Sequence, residues 1–256
     1  MLLNSLSGRP VKDTVEDLPY KHDDYDFRST DPYAFTKYRI ILKWLPDTPA
    51  LNVLNAGCGS GEMNALMSQH DSTWHIDAID VDDAGIQRAQ LLKEQLSLQN
   101  VSITKSSIED FRPAALYDII ISNDVLEHID NVEQAIQRLS NMLKPGGLLL
   151  VSVPALQWLY GYHDELLGHF RRYNRQLLTQ QLTPYFEIKQ IRYFGMLLVP
   201  IAFYYSRLRH QPYPLNSQRD KTSLAARIVN GMLTAEENII FPLGTSVLAM
   251  AVRRTT

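Results

Sequence analysis

Two rhythms of apolar residues alternate along the chain. Short continuous apolar runs read as strands covered on both faces. Between them, apolar residues recur every three or four positions, as on one face of a helix. Phe35, Tyr38, Ile41, Leu42 and Leu45 keep the helical spacing, and Pro46 marks the exit. Leu51 to Leu54 predicts a first strand, and Met63, Leu66 and Met67 a helix after it. Trp74 to Ile79, closing on Asp80, predicts a second strand, followed by a helix with Ile86, Ala89, Leu92 and Leu96 on one face. Val101 to Thr104 predicts a third strand and Tyr117 to Ser122 a fourth. Asp130 is expected to cap the next helix, with Glu133 at the reciprocal capping-box position and Val132, Ala135, Ile136, Leu139, Met142 and Leu143 facing the core. Lys144-Pro145-Gly146-Gly147 is expected to end that helix, and Leu148 to Val153 predicts a fifth strand stopped by Pro154.

The later chain is less regular. Residues 155–173 are rich in aromatics, histidines and charges, with poor periodicity. Asn174 to Leu182 reads as helix, Phe186 to Tyr193 as a strand, Ala225 to Leu233 as helix and Ser246 to Val252 as a last strand. Strand and helix alternate throughout residues 51–153, which predicts an α/β fold, a parallel sheet with helices on both faces. The material between the two late strands is expected to pack over one edge as a cap, giving one domain rather than two.

Chemistry concentrates beyond the strand ends, where open α/β sheets bind ligands. Gly57, Gly59 and Gly61 make a tight turn between the first strand and its helix, a place where a nucleotide-like cofactor meets backbone amides. A dinucleotide fingerprint needs its third glycine at position 62, and Glu62 stands there. That charge suits the helix dipole and repels a pyrophosphate, so the turn favours a cofactor without phosphates. Asp80 offers acceptors without competing donors to a ribose diol; the alternative is a solvated aspartate at a strand end. Val81 is placed at the adenine edge and Ile108 on the adenine face, with Glu109 or Asp110 accepting the amino group. Asn123 is placed toward a charged amine. His128, with a pKa near neutral, is either a chemical group or a packed histidine at a helix start.

Composition narrows the class of protein. With 256 residues, 45% of them hydrophobic, and a net charge of -3, the chain builds a sizeable core and carries no basic excess pointing to nucleic acid. Its lone cysteine, Cys58, excludes an intrachain disulfide framework. The start MLLNSLSGRPVKD lacks the long apolar segment of a signal peptide. The apolar run from Phe194 to Tyr205 contains Pro200, which is expected to interrupt a helix, and is shorter than the roughly 20 residues of a membrane span. A cytoplasmic location is expected.

Taken together, LNAGCGSG, Asp80, SIED at 107–110, YDIIISNDVLEHI and LKPGGLLLVSVP resemble class I S-adenosylmethionine-dependent methyltransferases, in particular the small-molecule branch that includes quinone-biosynthesis enzymes. The resemblance covers residues 33–193. It implies a Rossmann-like sheet of seven strands in the order 3-2-1-4-5-7-6, six parallel and the last antiparallel, with Ser246 to Val252 inserted between strands five and six. The expected organisation is an N-terminal arm and helix over residues 1–46, part of a lid, and a cofactor-binding domain over 47–256 with substrate-cap segments at 155–182 and 195–243. The cofactor implied is S-adenosylmethionine, leaving S-adenosylhomocysteine. Its methionine part is expected against Asn55, Gly57, Cys58 and Gly59, its ribose at Asp80 and its adenine at Val81, Ile108 and Glu109. Asn123, Val125 and His128 border the methyl donor and acceptor. Related enzymes usually carry an acid two residues before the first glycine; Asn55 keeps an acceptor there and loses the charge.

WLYGYHDELLGHFRRYNRQLL resembles the variable region after strand five, in which Tyr160, His169, Arg171 or Arg172, and Tyr173 are expected to form pocket wall or dock the cap. The implied reaction is in-line attack on the sulfonium methyl by a small, partly hydrophobic acceptor, with His128 and His163 as candidate bases and Asp164 and Tyr173 behind them. Tyr20 and Tyr25 either pack the N-terminal arm or roof the acceptor. The aromatic cap segment, followed by Arg207, Arg209 and His210, fits a hydrophobic acceptor with a polar end, plain packing, a homodimer face or contact with a membrane surface. No metal is expected, since His128, His163 and His169 lack a tight ligand spacing. A non-catalytic S-adenosylmethionine-binding partner protein is the alternative. An NAD-dependent oxidoreductase is disfavoured by Glu62, and base methylation of nucleic acid by SNDV standing where NPPY or DPPY would be.

Overall fold

The computed structural model describes residues 31–211 and 224–255. Tyr20 and Tyr25, and with them the expected aromatic roof, lie outside the described residues. Helix α1, Pro32–Leu42, begins under Asp31, whose side chain accepts the Tyr33 N–H, with Pro32 in the first turn where no N–H is needed. The chain then alternates through β1 (Asn52–Ala56), α2 (Glu62–His70), β2 (His75–Asp80), α3 (Asp83–Gln95), β3 (Val101–Lys105), β4 (Tyr117–Asn123), α4 (Val132–Met142) and β5 (Leu143–Pro154). Helices α5 (Tyr162–Leu167) and α6 (Arg175–Leu182) precede β6 (Phe186–Phe194). Helix α7 (Val199–Phe203), a π-helical turn over Tyr204–Arg209 and α8 (Leu224–Glu236) precede β7 (Ser246–Arg253).

One seven-stranded sheet results, in the order β3-β2-β1-β4-β5-β7-β6. β1 to β5 pair in parallel, and β7 runs antiparallel between β5 and β6. This is the Rossmann-like methyltransferase topology that the resemblance implies. Alternate residues serve opposite faces, and helices cover both. Val53, Ile119 and Ile121 pack with Phe35, Tyr38 and Ile41 of α1 and Met63 and Met67 of α2. Leu54, Ile120 and Leu149 pack with Ala135, Ile136 and Leu139 of α4.

Three local expectations are corrected. Asn131 rather than Asp130 caps α4: its side chain accepts the Gln134 N–H at 3.3 Å, while the Asp130 carbonyl takes a hydrogen bond from Arg171. Residues 144–147 form no separate turn, because β5 already begins at Leu143 opposite Tyr117, and a register shift after Tyr117 together with the positive φ of Gly146 absorbs them. Pro200 interrupts no helix; it sits in the first turn of α7, where its ring is tolerated.

Buried groups fasten the segment between β6 and β7. The Glu236 carboxylate accepts the N–H groups of Gly195, Met196 and Leu197 at 2.7, 3.1 and 3.1 Å. Arg192 donates to the carbonyls of Glu236, Glu237 and Ile239, and Arg39 of α1 pairs with Glu237 at 2.5 Å. Among the described residues, no helix is long and apolar enough to cross a membrane.

Candidate functional site

The strand order reverses between β1 and β4, so the turn after β1 stands at the switch point of the sheet. Gly57 and Cys58 both donate their N–H groups to the Ile79 carbonyl, at 2.8 and 2.9 Å, and Gly59 donates to Asp80 Oδ2 at 2.7 Å. These amides are therefore engaged by the end of β2 rather than exposed to a phosphate, a correction to the simple reading of a glycine turn. Gly57 has φ +86, and a Cβ there would lie 2.1 Å from Val125 Cγ2, so the turn packs directly on the loop after β4. Glu62 opens α2 almost fully buried and accepts the Ser60 hydroxyl at 2.7 and 2.8 Å. A carboxylate thus occupies the helix start where a pyrophosphate would bind. Burial pushes the Cys58 thiol pKa up, and the nearby charge of Asp80 adds to that.

Asp80 is half-buried, with each oxygen accepting one backbone N–H, Gly59 on Oδ2 and Asp82 on Oδ1 at 3.0 Å. A carboxylate oxygen holds two lone-pair sites, so acceptor capacity is left for a diol. Asn55 is 1% exposed; its Nδ2 donates to Asn64 Oδ1 at 2.7 Å, and its Oδ1 is buried without a partner. Asn123, at the end of the adjacent strand β4, has a buried Nδ2 in the same condition. Val81 is 61% exposed, Ile108 is buried and Glu109 is half-buried. Asp110 turns back on its own loop, accepting the Ser107 hydroxyl at 2.9 Å.

The loop after β4 and the segment after β5 are clasped together. Phe170 donates its N–H to the Glu127 carbonyl at 2.8 Å, and the fully buried Tyr173 donates its hydroxyl to the Leu126 carbonyl at 3.3 Å. Burial pushes the Tyr173 pKa up, with the charge of Glu127 adding to it. The His128 ring meets the His169 ring edge-on at 4.6 Å. Ligand-capable atoms of Glu127, His128 and His169 lie within 4.8 Å of one another, a proximity invisible in the sequence because His169 comes from another loop.

Asp164 organises the cap. It is fully buried, and its Oδ1 takes His169 Nδ1 at 2.8 Å and Arg172 Nε at 2.7 Å, while Oδ2 accepts the Gly161 N–H at 3.1 Å. Burial alone would raise its pKa; the His169 hydrogen bond and the Arg172 guanidinium outweigh that and hold it below the ordinary carboxylate value. Arg172 also donates to the Ala155 carbonyl at 3.2 Å, and the Tyr160 hydroxyl donates to the His169 carbonyl at 2.8 Å. The structure thus brings Tyr160, His169, Arg172 and Tyr173 into one knit wall beside His128. Asp164 turns to that wall, whereas its neighbour His163 is half-buried on α5.

Sequence reasoning missed Lys37. It is 3% exposed on α1 and pairs with Asp124, the residue after β4. The signal was present: Tyr33, Ala34, Ile40 and Ile41, three and four positions away, put Lys37 on the apolar face of the helix.

Comparison with known proteins agrees with this architecture. Residues 28–194 match the family of methyltransferase domains. The ubiquinone biosynthesis O-methyltransferase of Rickettsia typhi is 30% identical over 106 residues, 41% of this chain and 42% of that protein. The malonyl-acyl-carrier-protein O-methyltransferase of Bacillus cereus is 31% identical over 119 residues, 46% of this chain and 43% of that protein. The chain therefore spans about two fifths of the length of these curated relatives. The structure of the N-methyltransferase NodS from Bradyrhizobium japonicum WM9 in complex with S-adenosyl-L-homocysteine shares the fold, with a TM-score of 0.60 at 18% identity over 92% of this chain and 94% of that one. With the family match covering residues 28–194 and the strand order in agreement, the chain belongs to the methyltransferase-domain family.

Proposed function

We propose that this chain transfers the sulfonium methyl of S-adenosylmethionine to a small, partly hydrophobic acceptor. One observation carries the reading: the C-terminal ends of the neighbouring strands β1 and β4 each carry an asparagine with a buried, unpartnered polar atom, Asn55 Oδ1 one residue before the end of β1 and Asn123 Nδ2 at the end of β4, beside the turn that Asp80 holds. A buried polar group left unpaired costs about 1–3 kcal/mol, which a ligand that completes the bond recovers. The residues fit the cofactor. Asn55 Oδ1 suits its ammonium, Asp80 its ribose diol, and Val81, Ile108 and Glu109 its adenine. The turn at Gly57, Cys58 and Gly59, with its amides engaged and Glu62 buried behind it, suits a cofactor lacking phosphates.

When bound, S-adenosylmethionine supplies an electrophilic methyl group. The chain's own residues bind, orient and exclude water, and orientation alone is worth up to roughly 7–11 kcal/mol. Val125 and Asn123 border the reacting groups. His128 is placed to take the acceptor's proton, with His163 as the second candidate. Tyr160, His169, Arg172 and Tyr173 shape the acceptor side, within the cap segments 155–182 and 195–243, and residues 1–46 contribute to the lid. The names of the two O-methyltransferase relatives support an oxygen acceptor, and the resemblance to quinone-biosynthesis enzymes favours a phenolic one.

Incubation with methyl-labelled S-adenosylmethionine and a small-molecule cell extract tests the reading. A labelled small molecule is expected. Tight S-adenosylhomocysteine binding with no labelled product would favour a non-catalytic binding protein, a reading kept in view by the uncharged Asn55.

A further inference from the structure

Resting on the methyl-transfer reading, we infer that Asp124 orients the acceptor by accepting a hydrogen bond from its protic nucleophile, a hydroxyl or an amine, and that Lys37 is the positioning residue that holds Asp124 for this task. The ion pair is lopsided. The Lys37 side chain is 4% exposed and that of Asp124 28%, so the cation on α1 is buried while the carboxylate, on the residue that follows β4, is partly exposed. Lys37 shares its helix face with Ala34, Ile40 and Ile41, where an apolar side chain would pack. Replacing a buried ion pair with apolar groups is often neutral or stabilising, so stability alone does not explain a lysine here.

Asp124 is fixed on every side that the protein controls. Its backbone has φ +53, a left-handed conformation that aspartate enters more readily than most non-glycine residues. Its N–H donates to the Ser152 carbonyl at 2.9 Å. The Ser152 hydroxyl lies 3.3 Å from its Oδ1 and 3.1 Å from Asn123 Oδ1, while Lys37 holds Oδ2. Burial by itself lowers the Lys37 pKa, but the charge of Asp124 and its hydrogen bond more than reverse this, so the ammonium persists. Tyr33, stacked on Phe194, bonds Thr245 and Ser246 at 2.8 and 2.7 Å and locks α1 onto the start of β7. The result is a rigid carboxylate beside Asn123, at the strand end where donor and acceptor meet. A hydroxyl or a primary or secondary amine presents a donor to such a group; a carboxylate oxygen, a tertiary amine or an aprotic carbon nucleophile does not.

The test uses the full chain, S-adenosylhomocysteine titration, and labelled methyl transfer into a panel of catechols, phenols and primary amines. Lys37→Met is expected to keep its S-adenosylhomocysteine affinity while transfer falls about tenfold to a hundredfold, the loss typical of a misplaced orienting group. Lys37→Arg should recover much of that loss. Lys37→Met removes the cation that holds Asp124 Oδ2, so Lys37→Met combined with Asp124→Asn, which removes both charges, supplies the second arm. If the two act as a unit, the double variant is no worse than the single one. Wild-type transfer rates in the double variant would overturn the inference, as would cofactor affinity falling in step with transfer, or a wild-type chain that binds S-adenosylhomocysteine and methylates nothing in the panel. A wild-type chain that does not bind S-adenosylhomocysteine overturns the methyl-transfer reading itself.

Discussion

The N–H of Gly59 donates to Asp80 Oδ2 at 2.7 Å, tying the turn after β1 to the last residue of β2 across 21 positions. One carboxylate therefore shapes the glycine turn and, in our reading, receives the ribose. Asp80→Ala should lose both roles, and Asp80→Asn should keep part of each. The expected loss in S-adenosylhomocysteine affinity for the alanine variant is at least tenfold, about 1.4 kcal/mol or more. Calorimetric titration checks it, and unchanged affinity would refute the ribose assignment.

Gly57 has no room for a side chain. With Val125 Cγ2 2.1 Å from the Cβ position and φ at +86, Gly57→Ala is both overpacked and strained. A destabilisation of about 1–3 kcal/mol is expected, measured by urea unfolding. Adding Val125→Ala should relieve the steric part and leave the backbone part.

Asp164 makes stability fall in acid. Its folded pKa lies below the ordinary 3.8, so its contribution is fully present above the unfolded value and is lost as pH drops through the folded one. Asp164→Asn should flatten that dependence below about pH 4 and, near neutral pH, cost about 3–5 kcal/mol by leaving Arg172 buried without its carboxylate. Urea midpoints across pH, compared between the two proteins, give both readouts.

His128→Ala should cut turnover by about a hundredfold or more if His128 takes the acceptor's proton, with little change in cofactor affinity. Normal turnover across pH would reject that role. Transfer should survive chelation with EDTA, because the sulfonium itself activates the methyl. Loss on chelation with recovery on adding a divalent cation would assign a metal to Glu127, His128 and His169.

Much of the fold was legible because the central strands are apolar runs, as in Ile119-Ile120-Ile121, and helices such as α4 show an apolar stripe, whereas α5 lies in a stretch without periodicity. Asp80 and the glycines were legible because their spacing along strand, turn and helix fixes their place at the switch point. The start of β5 was misread, since Pro145 and the two glycines after it look like a turn until a partner strand supplies the register. The Asp164 network and the Lys37–Asp124 pair were hidden for another reason: their members come from separate elements, and only packing decides that a charged side chain points inward. The engaged amides of residues 57–59 belong to the same class, because composition names the glycines but not the carbonyl they face.

The most direct measurement is a crystal structure of the full chain grown with S-adenosylhomocysteine. The account predicts the ribose hydroxyls within hydrogen-bond reach of Asp80 and the ammonium at Asn55 Oδ1. A structure in which Asp80 faces no sugar, and protein side chains fill the space beside the Gly57 turn, would contradict it.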